Sequence, residues 1–173
     1  ADLSDANLQG SNLTGTTFGA AVDLSDANLE GSNLTVDFEG AVNLNNANLQ
    51  DTSLTAIFAG AASLNGTNLQ GTIFNGVDFE GAVDLRGANL QEADLSGVRF
   101  NGPMELEGAS LLGATFGDSD RVWTSNTPIG IEEASRLKNG ELSFEEFITS
   151  YLGEPEPEPE PEPIQDFSGE NYN

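Results

Sequence analysis

The chain offers few of the side chains on which catalysis usually rests. Its 173 residues include no His and no Cys, so imidazole bases, thiolate nucleophiles and the usual zinc ligand sets are excluded. Carboxylates remain, with 29 acidic residues against five basic ones and a formal net charge of -24. A carboxylate pair that cleaves a glycosidic bond needs a cleft to hold the sugar between the two groups. A calcium loop needs a fixed ligand spacing, and Asn139 to Phe147 resembles the second half of one, with Gly140 at loop position 6 and Glu146 at position 12. The first half departs from it, because positions 1 and 3 fall on Ser135 and Leu137, where oxygen-rich Asp or Asn ligands are required. The sequence therefore predicts no catalytic residue, no metal site and no cofactor. The same acidity predicts no direct binding of nucleic acid, whose phosphates would be repelled.

What must position any functional surface is an internal repeat. Leu or Phe recurs through residues 3, 8, 13, 18 and onward to 106, 111, 116, giving 23 centres, 16 Leu and 7 Phe. Two residues before each centre stands a small or slender side chain, such as Ala6, Ala27, Ala47, Thr67, Ala88 or Ala109. A period of five matches neither the 3.6 of a helix nor the 2.0 of a flat strand. The backbone is expected to turn a corner every five residues, with the centre and the small residue facing inward. All 15 acidic residues up to Phe116 fall on the other three phases. Each fourth interval is six residues long, as from Phe18 to Leu24 and Phe79 to Leu85, so four sides close a coil of 20 or 21 residues. Phe18, Phe38, Phe58, Phe79 and Phe100 should then stack in one column facing a column of Leu.

The strings Ala-Asp-Leu-Ser-Asp, Ala-Asn-Leu-Gln-Gly, Ser-Asn-Leu-Thr-Gly and Ala-Asp-Leu-Ser-Gly resemble the motif of the pentapeptide repeat proteins. The resemblance implies a β-solenoid, a right-handed quadrilateral β-helix, over residues 1–117. Nearly six coils at a β-ladder spacing make a rod roughly 25–28 Å long. Residues 118–153 read as an exit loop and a short C-terminal α-helical cap. Trp123 would cover the open core, and one helical segment would carry Ile131, Ala134 and Leu137. A second helix has Ser143 at its N-cap and Glu146 at the capping-box position. Its apolar face, Phe144, Phe147, Ile148, Tyr151 and Leu152, would cover the solenoid end or make a homodimer through the helical cap. Residues 154–173 form a Glu-Pro polyproline tail, an extended spacer or tether, ending in a polar stretch that holds Phe167 and Tyr172.

Because the family is functionally diverse, the resemblance says more about fold than about role. On the outer columns, Asn7, Asn28, Asn48, Asn68 and Asn89 can form amide ladders along the axis or offer a binding face for a polymer. Another column, Asp2, Asp23, Asn43, Ser63, Asp84, Glu105, is an interrupted acidic stripe. Some family members protect bacterial type II topoisomerases as acidic rods that mimic DNA, which makes that role the alternative here. The leading expectation is a non-enzymatic structural or scaffold protein that binds a protein partner. Its candidate contacts are the outward apolar Ile57 and Ile73, the acidic Asp84 and Glu105, and Phe167 and Tyr172 in the tail. No run of apolar residues approaches the roughly 20 needed for a membrane span. The start at Ala1 rather than Met and the abundance of the family in cyanobacteria and plastids suggest export to the thylakoid lumen or periplasm of a photosynthetic organism, the cytoplasm being the alternative.

Overall fold

The computed structural model describes residues 1–116, 121–122, 136, 141 and 143–152. In chain order the strands are β1 (Thr16–Phe18), β2 (Val22–Asp23), β3 (Asn33–Phe38), β4 (Val42–Asn43), β5 (Ser53–Phe58), β6 (Ala62–Ser63), β7 (Ile73–Phe74), β8 (Asp78–Phe79), β9 (Val83–Asp84), β10 (Arg99–Phe100), β11 (Met104–Glu105), β12 (Thr115–Phe116) and β13 (Arg121–Val122). A helix, α1 (Phe144–Leu152), follows among the described residues. Up to β12 every pairing is parallel and joins residues one coil apart, as in Phe18↔Phe38, Phe38↔Phe58, Phe58↔Phe79 and Phe79↔Phe100. The fold is a parallel β-solenoid. β1, β3, β5, β7, β8 and β10 make one sheet, and β2, β4, β6, β9 and β11 make a second.

The five-residue side follows from local chemistry. A β-turn closes each ordinary corner, as where the Ala27 N–H donates to Leu24 O at 3.2 Å and Ser32 N–H to Leu29 O at 3.1 Å. At nearly all of these corners the residue two after the centre takes a left-handed φ, which Gly adopts freely and Asp or Asn tolerate. Asp26 (φ 58°), Asn46 (φ 57°) and Gly66 (φ 66°) succeed one another at one such corner, and Glu92 (φ 58°) bears the strain at another. The centres and the small residues before them form the core: Leu29, Leu49, Leu64, Leu69 and Phe58 are fully buried. Where the small residue is Thr, its hydroxyl is satisfied inside, with Thr52, Thr67 and Thr72 Oγ1 donating to Leu29, Leu44 and Leu49 O at 2.9, 2.7 and 2.7 Å.

The expected corner between the third and fourth sides is missing in two coils. β3 and β5 run unbroken through it, with strictly alternating burial. Leu34 to Phe38 and Leu54 to Phe58 are spaced four residues apart, not five, so Leu34, Val36 and Phe38 share one face by the simple period of a strand. Two sides fuse into one flat face there, and this shorter interval accounts for the 20-residue coils.

The Phe column is continuous. Successive centroids from Phe18 to Phe100 lie 5.3, 4.9, 4.6 and 5.2 Å apart, with rings inclined by no more than 21°. Phe144 of α1 ends the stack, its ring 4.8 Å from Phe100 at 64° and 5.8 Å from Phe116, an edge-on contact that suits the ring quadrupole. The capping box of α1 forms as read: Ser143 N–H donates to Glu146 Oε2 at 2.8 Å, and Glu146 N–H to Ser143 Oγ at 3.1 Å. Phe147 and Ile148 are buried, so the apolar face of α1 covers the solenoid end. Arg121–Val122, expected within an exit loop, instead pair antiparallel with β12. Trp123, the segment with Ile131, Ala134 and Leu137, the Ser135 and Leu137 loop positions, the side chain of Tyr151 and the Glu-Pro run lie outside the described residues.

Phe58→Ala should lower the unfolding free energy by about 3–5 kcal/mol, as for a large side chain removed from a packed core. Ile57→Ala, one residue away but 46% exposed, should cost under about 1 kcal/mol. Chemical denaturation compares the two, and equal losses would contradict the inward and outward assignment.

Candidate functional site

Stacking converts sequence columns into surface stripes, and the amide stripe is bonded along its own length. Asn68 Nδ2 donates to Asn48 Oδ1 at 3.0 Å, and Asn89 Nδ2 to Asn68 Oδ1 at 3.1 Å. Each Oδ1 also accepts the amide two residues on, as from Gln50 N–H to Asn48 at 3.2 Å and Gln91 N–H to Asn89 at 3.2 Å. With donors and acceptors committed along the axis, this column acts as a ladder that holds coils together.

The acidic stripe is tied down in a different way. Asp2 and Asp23 accept from the hydroxyls and amides of Ser4 and Ser25, and these bonds, the hydroxyl first, hold both carboxyls below the usual Asp range. At Asn43 and Ser63 the stripe is neutral, and Asn43 Nδ2 donates to Asp23 Oδ1 at 2.9 Å. Asp84 and Glu105 come together on Arg86, whose Nε and Nη2 donate to Asp84 at 2.9 and 2.6 Å while Nε lies 3.3 Å from Glu105 Oε2. The bonds that Arg86 donates to Asp84, reinforced by both carboxylate charges, raise the Arg86 pKa further. Asp94 is the most enclosed of the shifted acids. The Ser96 hydroxyl lowers its pKa most, burial opposes, and the Ser96 amide and Thr115 hydroxyl lower it further.

Ile57 and Ile73 are exposed, at 46% and 51%, on the outer face of the sheet that contains β5 and β7. Ile73 pairs with Ser53, four residues along β5 from Ile57, so the two side chains stand about 13 Å apart along the strand and one rung apart across it. Asp37 and Asp78 flank Ile57 in its column. The two are separate points, not one patch. Phe167 and Tyr172 lie outside the described residues.

The sequence reading missed a groove along the enlarged corner. It has a volume of about 570 Å³, and Ala21, Ala41, Ala61, Ala82 and Pro103 line it together with the Asp23, Asn43, Ser63, Asp84 and Glu105 rim. Gly40, Gly60, Gly81 and Gly102 precede four of these lining residues, and a Cβ on Gly81 would come within 2.5 Å of Gly60 O. Here glycine serves close stacking, not a left-handed turn, and the small column leaves a trough at the surface. The signal is present in the sequence as Ala or Pro three residues before Leu24, Leu44, Leu64, Leu85 and Leu106, a phase that faces outward. Among the described residues no cluster of acids is arranged to hold a metal ion, and no helix is long and apolar enough to cross a membrane.

A stacked solenoid that presents stripes and one shallow trough belongs to the class of repeat proteins whose working parts are surfaces. The chain belongs to the pentapeptide repeat family: residues 1–35, 43–81 and 62–102 match "Pentapeptide repeats" in eight copies, more than half of the chain. Members of this family are generally non-enzymatic structural proteins. No curated protein matches the chain. Among solved structures it is similar to the pentapeptide repeat protein Rfr23 of the cyanobacterium Cyanothece 51142, at 28% identity over 70% of this chain and 90% of that one, TM-score 0.32. It is also similar to a thylakoid lumen pentapeptide repeat protein of Arabidopsis thaliana, at 22% identity over 76% and 70%, TM-score 0.36. A third is QnrB1, a plasmid-mediated fluoroquinolone resistance protein, at 15% identity over 81% and 86%, TM-score 0.35.

A depressed carboxyl pKa contributes stability that is complete above the unfolded value, about 3.9 for Asp, and is lost as pH falls through the folded value. Asp94→Asn keeps an oxygen that can accept from Ser96, as Asn12 accepts from Thr14 at 3.0 Å. Denaturant midpoints of wild type and variant should therefore differ by a constant amount from pH 7 to about pH 4. Below that the wild type should lose ground. A difference that stays flat down to pH 2 would contradict the bonding described for Asp94.

Proposed function

We propose that this protein is a non-enzymatic scaffold that binds a protein partner through the outer surface of its solenoid. The observation that carries the reading is the contrast between the amide stripe and the open groove. The amide column spends its polar groups on itself, whereas the groove keeps an apolar floor, a rim drawn from the acidic stripe and room for a chain segment. An enzyme is disfavoured, since the neighbouring carboxylates Asp84 and Glu105 on the groove rim are both engaged by Arg86. The lumenal or periplasmic setting rests on family distribution and is part of the same proposal. So is the tail: Glu154 to Pro163 would act as a tether, presenting Phe167 and Tyr172 for docking. A homodimer would have to use other surfaces of α1, since Phe147 and Ile148 are buried.

The DNA-mimic reading requires an unbroken line of charge resembling a phosphate backbone. Asn43 and Ser63 interrupt the stripe, and Arg86 sits between Asp84 and Glu105, which favours the scaffold. Purified protein at micromolar concentration should leave DNA gyrase supercoiling unchanged, while deletion of residues 154–173 should weaken capture of a native partner from a lumenal or periplasmic extract. Gyrase inhibition that disappears when Asp84 and Glu105 become Asn and Gln would reverse the ranking.

A further inference from the structure

The geometry points to an extended, basic polypeptide segment as the occupant of the corner groove, an inference that rests on the partner-binding reading and names the face and the chemistry. The groove runs along the solenoid axis past five coils, from Ala21 to Pro103, a length of about 20 Å at β-ladder spacing. Its floor is made of exposed small side chains beside the buried Val22, Val42, Ala62 and Val83. A chain can approach the backbone closely there without meeting long side chains.

Two features select a polypeptide. The carbonyls of Ala41, Ala61, Ala82 and Pro103 accept from the neighbouring coil at 2.8–3.0 Å. The N–H groups of Ala41, Ala61 and Ala82, however, donate to no acceptor among the described residues, and peptide carbonyls would satisfy them. The charge around the groove selects a basic sequence. Asp23, Asp84 and Glu105 stand on one lip, the last two beside Arg86. On the other side the exposed Glu39 reaches toward the corner, its Oε2 3.3 Å from where a Gly19 Cβ would stand. A second copy of this chain, or its own Glu-Pro tail, would bring more negative charge to this edge. A partner segment alternating Lys or Arg with small residues brings complementary charge and fits the shallow floor.

Fluorescence anisotropy with a labelled twelve-residue Lys-Ala peptide tests this at physiological salt, with a Glu-Ala peptide as control. Because any strongly acidic protein attracts a basic peptide, the decisive comparison is between charge-neutral variants. Ala61→Leu fills the groove, and Thr17→Leu places the same side chain on the exposed outer face of β1. Circular dichroism melts establish that both are folded, and Ala41→Leu substitutes if Ala61→Leu is not. Ala61→Leu should weaken binding at least tenfold, with Thr17→Leu changing it less than twofold. Equal binding by wild type and both variants, or no binding by wild type, would overturn the inference. Capture from extract separates it from the broader reading: a native partner retained by Ala61→Leu sinks the groove but leaves the scaffold, whereas no specific partner for wild type sinks the scaffold itself.

Discussion

Parallel coil stacking at the spacing of a β-ladder is the constraint on which the rest of this structure depends. Backbone N–H and C=O groups along the sides pair with the coil above and below, so each residue stands next to the equivalent position one coil away, often of its own kind, as in Phe38↔Phe58 and Asn48↔Asn68. A column that repeats Phe must accommodate a stack of rings, and one that repeats Asn a ladder of amides. The Phe column meets this condition with nearly parallel rings at van der Waals separation. The corner glycines meet it because a side chain there would collide with the backbone of the preceding coil.

The same constraint is severe for charge. An acid repeated on every coil would place carboxylates one rung apart throughout, as Asp2 and Asp23 or Asp84 and Glu105 are, and the surface limits this in two ways. Neutral Asn and Ser interrupt the stripe, and Ser hydroxyls or Arg86 take up the carboxylates that remain. The amides gain from the identical geometry, because one amide is both donor and acceptor and a column of them is self-complementary. A highly acidic chain can in this way form a regular solenoid, with its charge spread over several columns.

An open solenoid end exposes core and unpaired backbone, and the helix α1 answers the first of these needs. Its capping box sets where it begins, and Phe144, Phe147 and Ile148 then fall on the face that meets Phe100 and Phe116. The T-shaped contact of Phe144 closes a stack that a further parallel ring would have extended.

Much of this was legible in the residue string because the inward phase is a local property: a centre and the small residue two before it share a side and need no distant partner to be recognised. The Ser143–Glu146 box is local in the same sense, and the Phe column was legible because Phe recurs at intervals of 20 or 21 residues. The unbroken strands at Leu34–Phe38 and Leu54–Phe58 were also encoded, by a four-residue interval that the dominant period of five obscured. Other features depended on the closed coil. Arg86 meets Glu105, and Ala21, Ala41, Ala61 and Ala82 line one trough, only because the summed length of four sides brings residues 19 to 21 apart into neighbouring positions. Side length is set within five residues by turn chemistry and burial. The identity of a rung neighbour is set by closure of the whole coil, and that is decided by tertiary structure.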